Sequence, residues 1–115
     1  MFRFEGLDVW KRAAAMEVEM MALADELDRS HKYKIADQLR RAALSVSNNI
    51  AEGSGSSSRK DFKVFLNYSH RSVFEVANIV MLCAHCGWIS QSRVGGYTKE
   101  LDEIARMLVG FSRSL

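Results

Sequence analysis

No proline occurs anywhere in this chain, and its apolar residues recur at three- and four-residue steps along almost the whole length. A chain without proline has nothing to interrupt the hydrogen-bond ladder of a helix, and that spacing lines one helix face with apolar groups. Alanine, leucine, glutamate, lysine, arginine and methionine are plentiful, and all of them favour helix. At 48% hydrophobic and 26% charged, the 115-residue chain is too apolar to stay disordered and has the size of one domain, residues 1–115. The expected fold class is all-α.

Four periodic segments are separated by polar or glycine-containing breaks near Ser30–Tyr33, Gly53–Ser58 and Gly87–Ser92. The first, about Leu7 to Arg29, sets Trp10, Ala13, Ala14, Met20, Leu23, Ala24 and Leu27 on one side. The second, about Lys34 to Glu52, repeats the pattern with Ile35, Leu39, Ala42, Val46 and Asn49 or Ile50, and Gly53 is expected to close it. The third starts at Ser58, a capping hydroxyl, with Asp61 placed to reach back in a capping box, and runs to Gly87. The fourth, capped by Ser90 or Ser92, carries Val94, Tyr97, Leu101, Ile104, Leu108, Phe111 and Leu115, and Gly95 and Gly96 are expected to fray its first turn.

Short loops force sequence neighbours to run antiparallel, which predicts an up-down-up-down four-helix bundle. A turn centred near His31 would bring Trp10 beside Glu52, offering the indole N–H a polar partner, and Ala13 or Ala14 beside Asn48 and Asn49. Asn49, Ser69 and Ser72 are polar or small where large apolar groups are expected, a pattern that suits register and close helix approach.

Between Val73 and Ala84 only Glu75 and Asn78 are polar, so apolar positions, Phe74, Ala77 and Met81 among them, sweep about 220° of the helix. A monomeric bundle needs a stripe of only about 100° on each helix. The excess predicts self-association, unless the third helix is the most central of the four.

The net charge of +2 is unevenly spread. Residues 1–28 hold three basic and seven acidic side chains, residues 29–71 nine basic and three acidic, and residues 72–115 four of each. Lys34, Arg40, Arg41, Arg59, Lys60, Lys63 and Arg71 fall on the second helix, the third helix or the loop between them, where they can form one basic surface for nucleic-acid phosphates. The Gly53–Ser58 loop leads into a helix N-terminus that attracts anions, and Arg59 and Lys60 stand there against the helix dipole. The loop lacks the strand and the Gly-Lys-Ser/Thr ending of a P-loop.

Catalytic chemistry is not expected. Cys83 and Cys86 form a C-x-x-C at a helix C-terminus, where the dipole disfavours a thiolate, and read as two small buried hydrophobes. His31 and His70 lack ligand-like spacing, there is no Glu-x-x-His pair, and His70 has no nucleophile to serve as a base, so no metal or other cofactor is expected. Arg3, Glu5 and Asp8 interrupt the start of the chain, which therefore lacks the apolar run of a secretory signal. The longest uncharged stretch, Val76–Gln91, falls short of the roughly 20 apolar residues a membrane helix needs. The expected location is the cytoplasm, with both thiols reduced.

Leu7-x-Val9-Trp10, Gln38-Leu-Arg-Arg-Ala-Ala43, Asn49-Ile-Ala-Glu-Gly53, Asp61-Phe62-x-x-Phe65-Leu66 and Ser72-x-x-Glu75 together resemble the bacterial four-helix bundle proteins. These are also called intervening-sequence proteins of large-subunit ribosomal RNA, because members are encoded within insertions in those genes. The resemblance covers nearly the whole chain and implies a small up-down bundle assembling into a ring, typically a pentamer, with a role in binding RNA or DNA. A related bundle is an accessory to reverse transcriptases in diversity-generating elements. The chain departs from the pattern at Ser56, where an arginine commonly stands, and at Arg71, where a glycine is usual. The expected function is thus a non-enzymatic homo-oligomer that contacts nucleic acid through phosphates. The competing expectation is a protein–protein scaffold whose basic cluster is only a solvated face.

Overall fold

The computed structural model describes residues 1–115 and contains four α-helices, α1 Asp8–Arg29, α2 Tyr33–Ser54, α3 Arg59–His85 and α4 Gln91–Arg113, preceded by a 3-10 turn at Arg3–Gly6. They form an antiparallel up-down-up-down bundle in which each helix packs on its sequence neighbour and α4 returns beside α1. The α2–α3 pair is the most extensive and the α1–α4 pair the least. At 27 residues, α3 runs almost the full 44 Å of the molecule.

One core of 24 buried residues fills the bundle axis. The predicted seams supply it: Ala13, Met20, Leu23, Ala24 and Leu27 from α1, Leu39, Ala42, Val46 and Ile50 from α2, and Leu101, Ile104 and Leu108 from α4. α3 adds Phe62, Leu66, Val73, Val76, Val80 and Cys83. Ser69, fully buried on the same face, donates to the Val46 carbonyl of α2 at 2.7 Å. A hydroxyl satisfied in this way lets the two backbones approach more closely than a leucine would.

Gly53 does not end α2, which continues to Ser54. A Cβ at Gly53 would lie 2.7 Å from the Phe65 Cβ and 2.8 Å from the Phe62 ring. This glycine therefore serves the close crossing of α2 over α3, a packing constraint rather than a helix stop. The stops lie elsewhere. α1 ends with His31 at φ 62°, and the Lys32 N–H donates to the Leu27 carbonyl at 2.8 Å. α3 ends in the same geometry with Gly87 at φ 76° and the Trp88 N–H donating to the Cys83 carbonyl at 2.9 Å.

Ser58 caps α3 by accepting from the Asp61 N–H at 3.0 Å, but the Asp61 carboxylate accepts from the Ser56 hydroxyl at 2.7 Å and closes no capping box. Ser90 caps α4, and helix persists through Gly95 and Gly96 without a break. Only Cys83 of the cysteine pair is buried. Cys86 is exposed, because the helix ends there and the chain turns away from the core. Burial pushes the Cys83 thiol up, with a smaller contribution from Cys86.

The α1–α2 register also differs from the expected one. Ser47 donates to Glu17, where a turn centred on His31 would have placed Ser45. Trp10 consequently does not reach Glu52; its ring packs on Phe4 with centroids 5.0 Å apart. No buried side-chain polar atom lacks a partner, so the unbonded indole N–H faces solvent.

Replacing Gly53 with alanine is expected to force α2 and α3 apart and destabilise the chain by about 2 kcal/mol, read as a lower thermal midpoint. A Gly53→Ala protein that melts with the parent would show that the crossing is loose.

Candidate nucleic-acid interface and association surface

The structure sorts the arginines into two groups. Arg12 of α1 grips Glu100 of α4 through both oxygens at 2.7 and 2.8 Å and also pairs with Glu103. Arg93 of α4 grips Glu26 of α1 at 3.0 and 2.7 Å and bonds the Tyr97 hydroxyl at 2.8 Å. Arg106 pairs with Asp102. The Arg12 and Arg93 pairs pin α4 to α1, the least extensive of the helix pairings.

Arg40, expected on the nucleic-acid surface, belongs to this paired group. Its guanidinium faces α1 and is shared by Asp25, Asp28 and Asp37. Folding brings the acidic C-terminal turns of α1 against the start of α2, and the hydrogen bonds to Asp28 and then Asp25 hold Arg40 further above its ordinary range. Its charge is already matched by carboxylates within the fold.

The other six predicted cations, Lys34, Arg41, Arg59, Lys60, Lys63 and Arg71, are exposed, and none takes part in an ion pair. They are strung along the bundle. The bonds Gln38–Glu75 (2.9 Å), Ser45–Ser72 (2.8 Å) and Ser69–Val46 (2.7 Å) fix how α2 lies on α3. In that register Lys34, Arg41 and Arg71 share the outward side of the α2–α3 pair. Arg59, Lys60 and Lys63 occupy the first turns of α3, with Lys60 about 16 Å along the axis from Arg71. Arg59 and Lys60 stand at the positive end of the α3 dipole, beside Asp61 but paired with no carboxylate.

Arg71 borders a polar groove of about 450 Å³ between α2 and α3, together with Asn49, Tyr68, Ser45, Ser72 and Glu75. Asn49 therefore lies at the edge of the seam, where its amide donates to the Ser45 carbonyl at 2.8 Å. Tyr68, exposed in this groove, was not among the predicted residues, because its helix position only becomes a groove wall once α2 is docked. Glu52 is exposed beyond it.

Phe74, Ala77 and Met81 line one apolar groove of about 320 Å³ between α3 and α4 with Val73, Leu101 and Ala105. Phe74 is 62% and Met81 46% exposed, so α3 does carry apolar surface that its own bundle leaves uncovered. Leu82, on the same helix but outside the groove, is also exposed.

The paired carboxylates make stability depend on pH. Hydrogen bonds from Arg93 hold Glu26, and those from Arg12 hold Glu100, below the usual carboxylate range. Each therefore stabilises the fold fully above that range and loses its contribution as pH falls through it. Arg93→Gln is expected to lower the melting temperature at neutral pH by about 2 °C, with the gap from the parent closing below about pH 4. A gap that stays constant down to about pH 3 would show that the ion pair adds nothing.

A family model described as 23S rRNA-intervening sequence protein matches residues 5–110. Among solved structures, the chain is similar to a protein of unknown function from the S23 ribosomal protein family of Bacteroides thetaiotaomicron. That likeness has a TM-score of 0.86 at 22% identity, covering 90% of this chain and 97% of the other. Among curated proteins, no relative matches the sequence.

Proposed function

Because the chain belongs to the 23S rRNA-intervening sequence protein family, and because six basic side chains on α2 and α3 stand without carboxylate partners, we propose that it is a non-enzymatic nucleic-acid-binding bundle. It works in the cytoplasm as a homo-oligomer, a ring of five being the size that the family resemblance implies. The observation that carries the reading is the division of the cations. Arg12, Arg40, Arg93 and Arg106 are spent on intramolecular pairs, whereas Lys34, Arg41, Arg59, Lys60, Lys63 and Arg71 are free to meet phosphates. Contacts of this kind are to the backbone and largely independent of sequence. The uncovered groove at Phe74, Ala77 and Met81 supports association between copies. No helix of the chain is long and apolar enough to cross a membrane.

Filter binding of RNA and DNA at about 50 and about 200 mM salt tests the phosphate contacts. Six contacts to a single strand give a log–log salt slope of about −4, and the triple variant Arg59→Gln/Lys60→Gln/Arg71→Gln should reduce its size by about 2. Absent binding at low salt, or binding indifferent to salt, would leave the scaffold reading in possession.

Association is tested separately by light scattering. Phe74→Glu places a charge in the apolar groove and is expected to reduce the oligomer to monomers while leaving helix content unchanged. A parent chain that is monomeric at high concentration would defeat this part of the proposal.

A further inference from the structure

A third groove, of about 350 Å³, opens between the first half of α3 and the last turns of α4. Lys63 and His70 reach it from α3 and Arg113 from α4. Neither Lys63 nor Arg113 takes part in an ion pair, and no carboxylate lines the groove. His70 enters no side-chain hydrogen bond of the protein, and its ring is steadied against Phe74 with centroids 5.0 Å apart. Asn67 and Ser112 add uncharged hydrogen-bonding groups beside a leucine floor.

Two like charges brought to one concavity without a counterion repel each other, and an anion there would relieve both. The donor set narrows the anion. Lys63 presents a compact ammonium, Arg113 a planar fork suited to two oxygens of one group, and His70 and Asn67 can each donate once more. A phosphate monoester carries between about 1.5 and 2 negative charges at neutral pH and three terminal oxygens, whereas an internal diester of a nucleic-acid strand carries one charge. Two cations with several donors match the monoester. The volume lies at the lower end of the roughly 300–1,000 Å³ range of small-ligand sites, which leaves room for the attached sugar over the leucines.

We propose that this groove binds a phosphate monoester, either the terminal phosphate of a nucleic-acid strand or that of a free nucleotide. The strand source rests on the nucleic-acid reading above; the monoester chemistry stands without it. Nothing in the sequence pairs Lys63 with Arg113, because the two meet only where the C-terminal turns of α4 pass the N-terminal turns of α3.

The test uses the full chain and two pairs of probes. Calorimetry compares adenosine 5′-monophosphate with adenosine, and fluorescence anisotropy compares one oligoribonucleotide carrying a 5′-phosphate with the same strand carrying a 5′-hydroxyl. The phosphorylated member of at least one pair is expected to bind about tenfold more tightly. Preference within the mononucleotide pair alone assigns the site to free nucleotides, and preference within the strand pair assigns it to strand ends. Lys63→Gln and Arg113→Gln should each remove most of the preference, while Lys99→Gln, about 21 Å along α4 from Arg113, should leave it intact. Circular dichroism checks that the variants fold.

Equal binding within both pairs overturns the proposal even if salt-sensitive RNA binding persists, which would leave the backbone reading standing. Mononucleotide preference in a chain that binds no strand would do the opposite, keeping the groove and removing the nucleic-acid function. A preference that survives the double variant Lys63→Gln/Arg113→Gln would show that the phosphate binds elsewhere.

Discussion

The crossing of α2 over α3 at Gly53 sets the geometry on which the rest of the bundle depends. With no side chain at Gly53, the backbone of α2 comes within van der Waals reach of Phe62 and Phe65. The same approach, two turns back along α2, lets the buried Ser69 hydroxyl reach the Val46 carbonyl. Ser45 and Ser72 close the outer edge of the seam. These contacts leave α2 and α3 one relative register, which makes their pairing the most extensive in the molecule. Polar groups buried with full satisfaction specify a unique arrangement in a way that interchangeable leucines do not.

Once α2 and α3 are locked, the remaining helices are held by different means. α1 packs on α2 through small apolar residues and the Arg40 cluster with Asp25, Asp28 and Asp37. α4 packs on α3 through Leu101, Ile104 and Leu108, but against α1 it leaves a looser joint bridged by Arg12 and Arg93. The charge on the outside follows from this arrangement. Most of the acidic residues of α1 and α4 are consumed at the joints, whereas six basic residues of α2 and α3 face water outside any ion pair. The net charge of +2 therefore hides an excess of basic over acidic side chains on α2 and α3.

Three of the molecule's grooves lie between α3 and a neighbour. Arg71 and Tyr68 border the one shared with α2, Phe74 and Met81 the apolar one shared with α4, and Lys63 and Arg113 the basic end of that same seam. The apolar breadth of α3 accounts for the Phe74–Met81 groove. A 27-residue helix with more apolar arc than one bundle can bury must offer part of itself to something else.

The helices, their order and most of their inward residues were legible in the sequence, because periodicity and the absence of proline are local properties that each segment carries by itself. So was the Ser58 cap, which involves only its own first turn. What the sequence left undecided was every feature that depends on a distant partner. Gly53 reads as a helix stop until Phe62 and Phe65 are set against it, Arg40 reads as a free cation until the end of α1 arrives beside it, and Trp10 reads as a partner of Glu52 until the loop shifts the register. Arg113 carries no signal that it belongs with Lys63. Helix formation is decided over a few residues, whereas register and charge pairing are decided by how closely two backbones can approach. That distance exists only in the packed bundle.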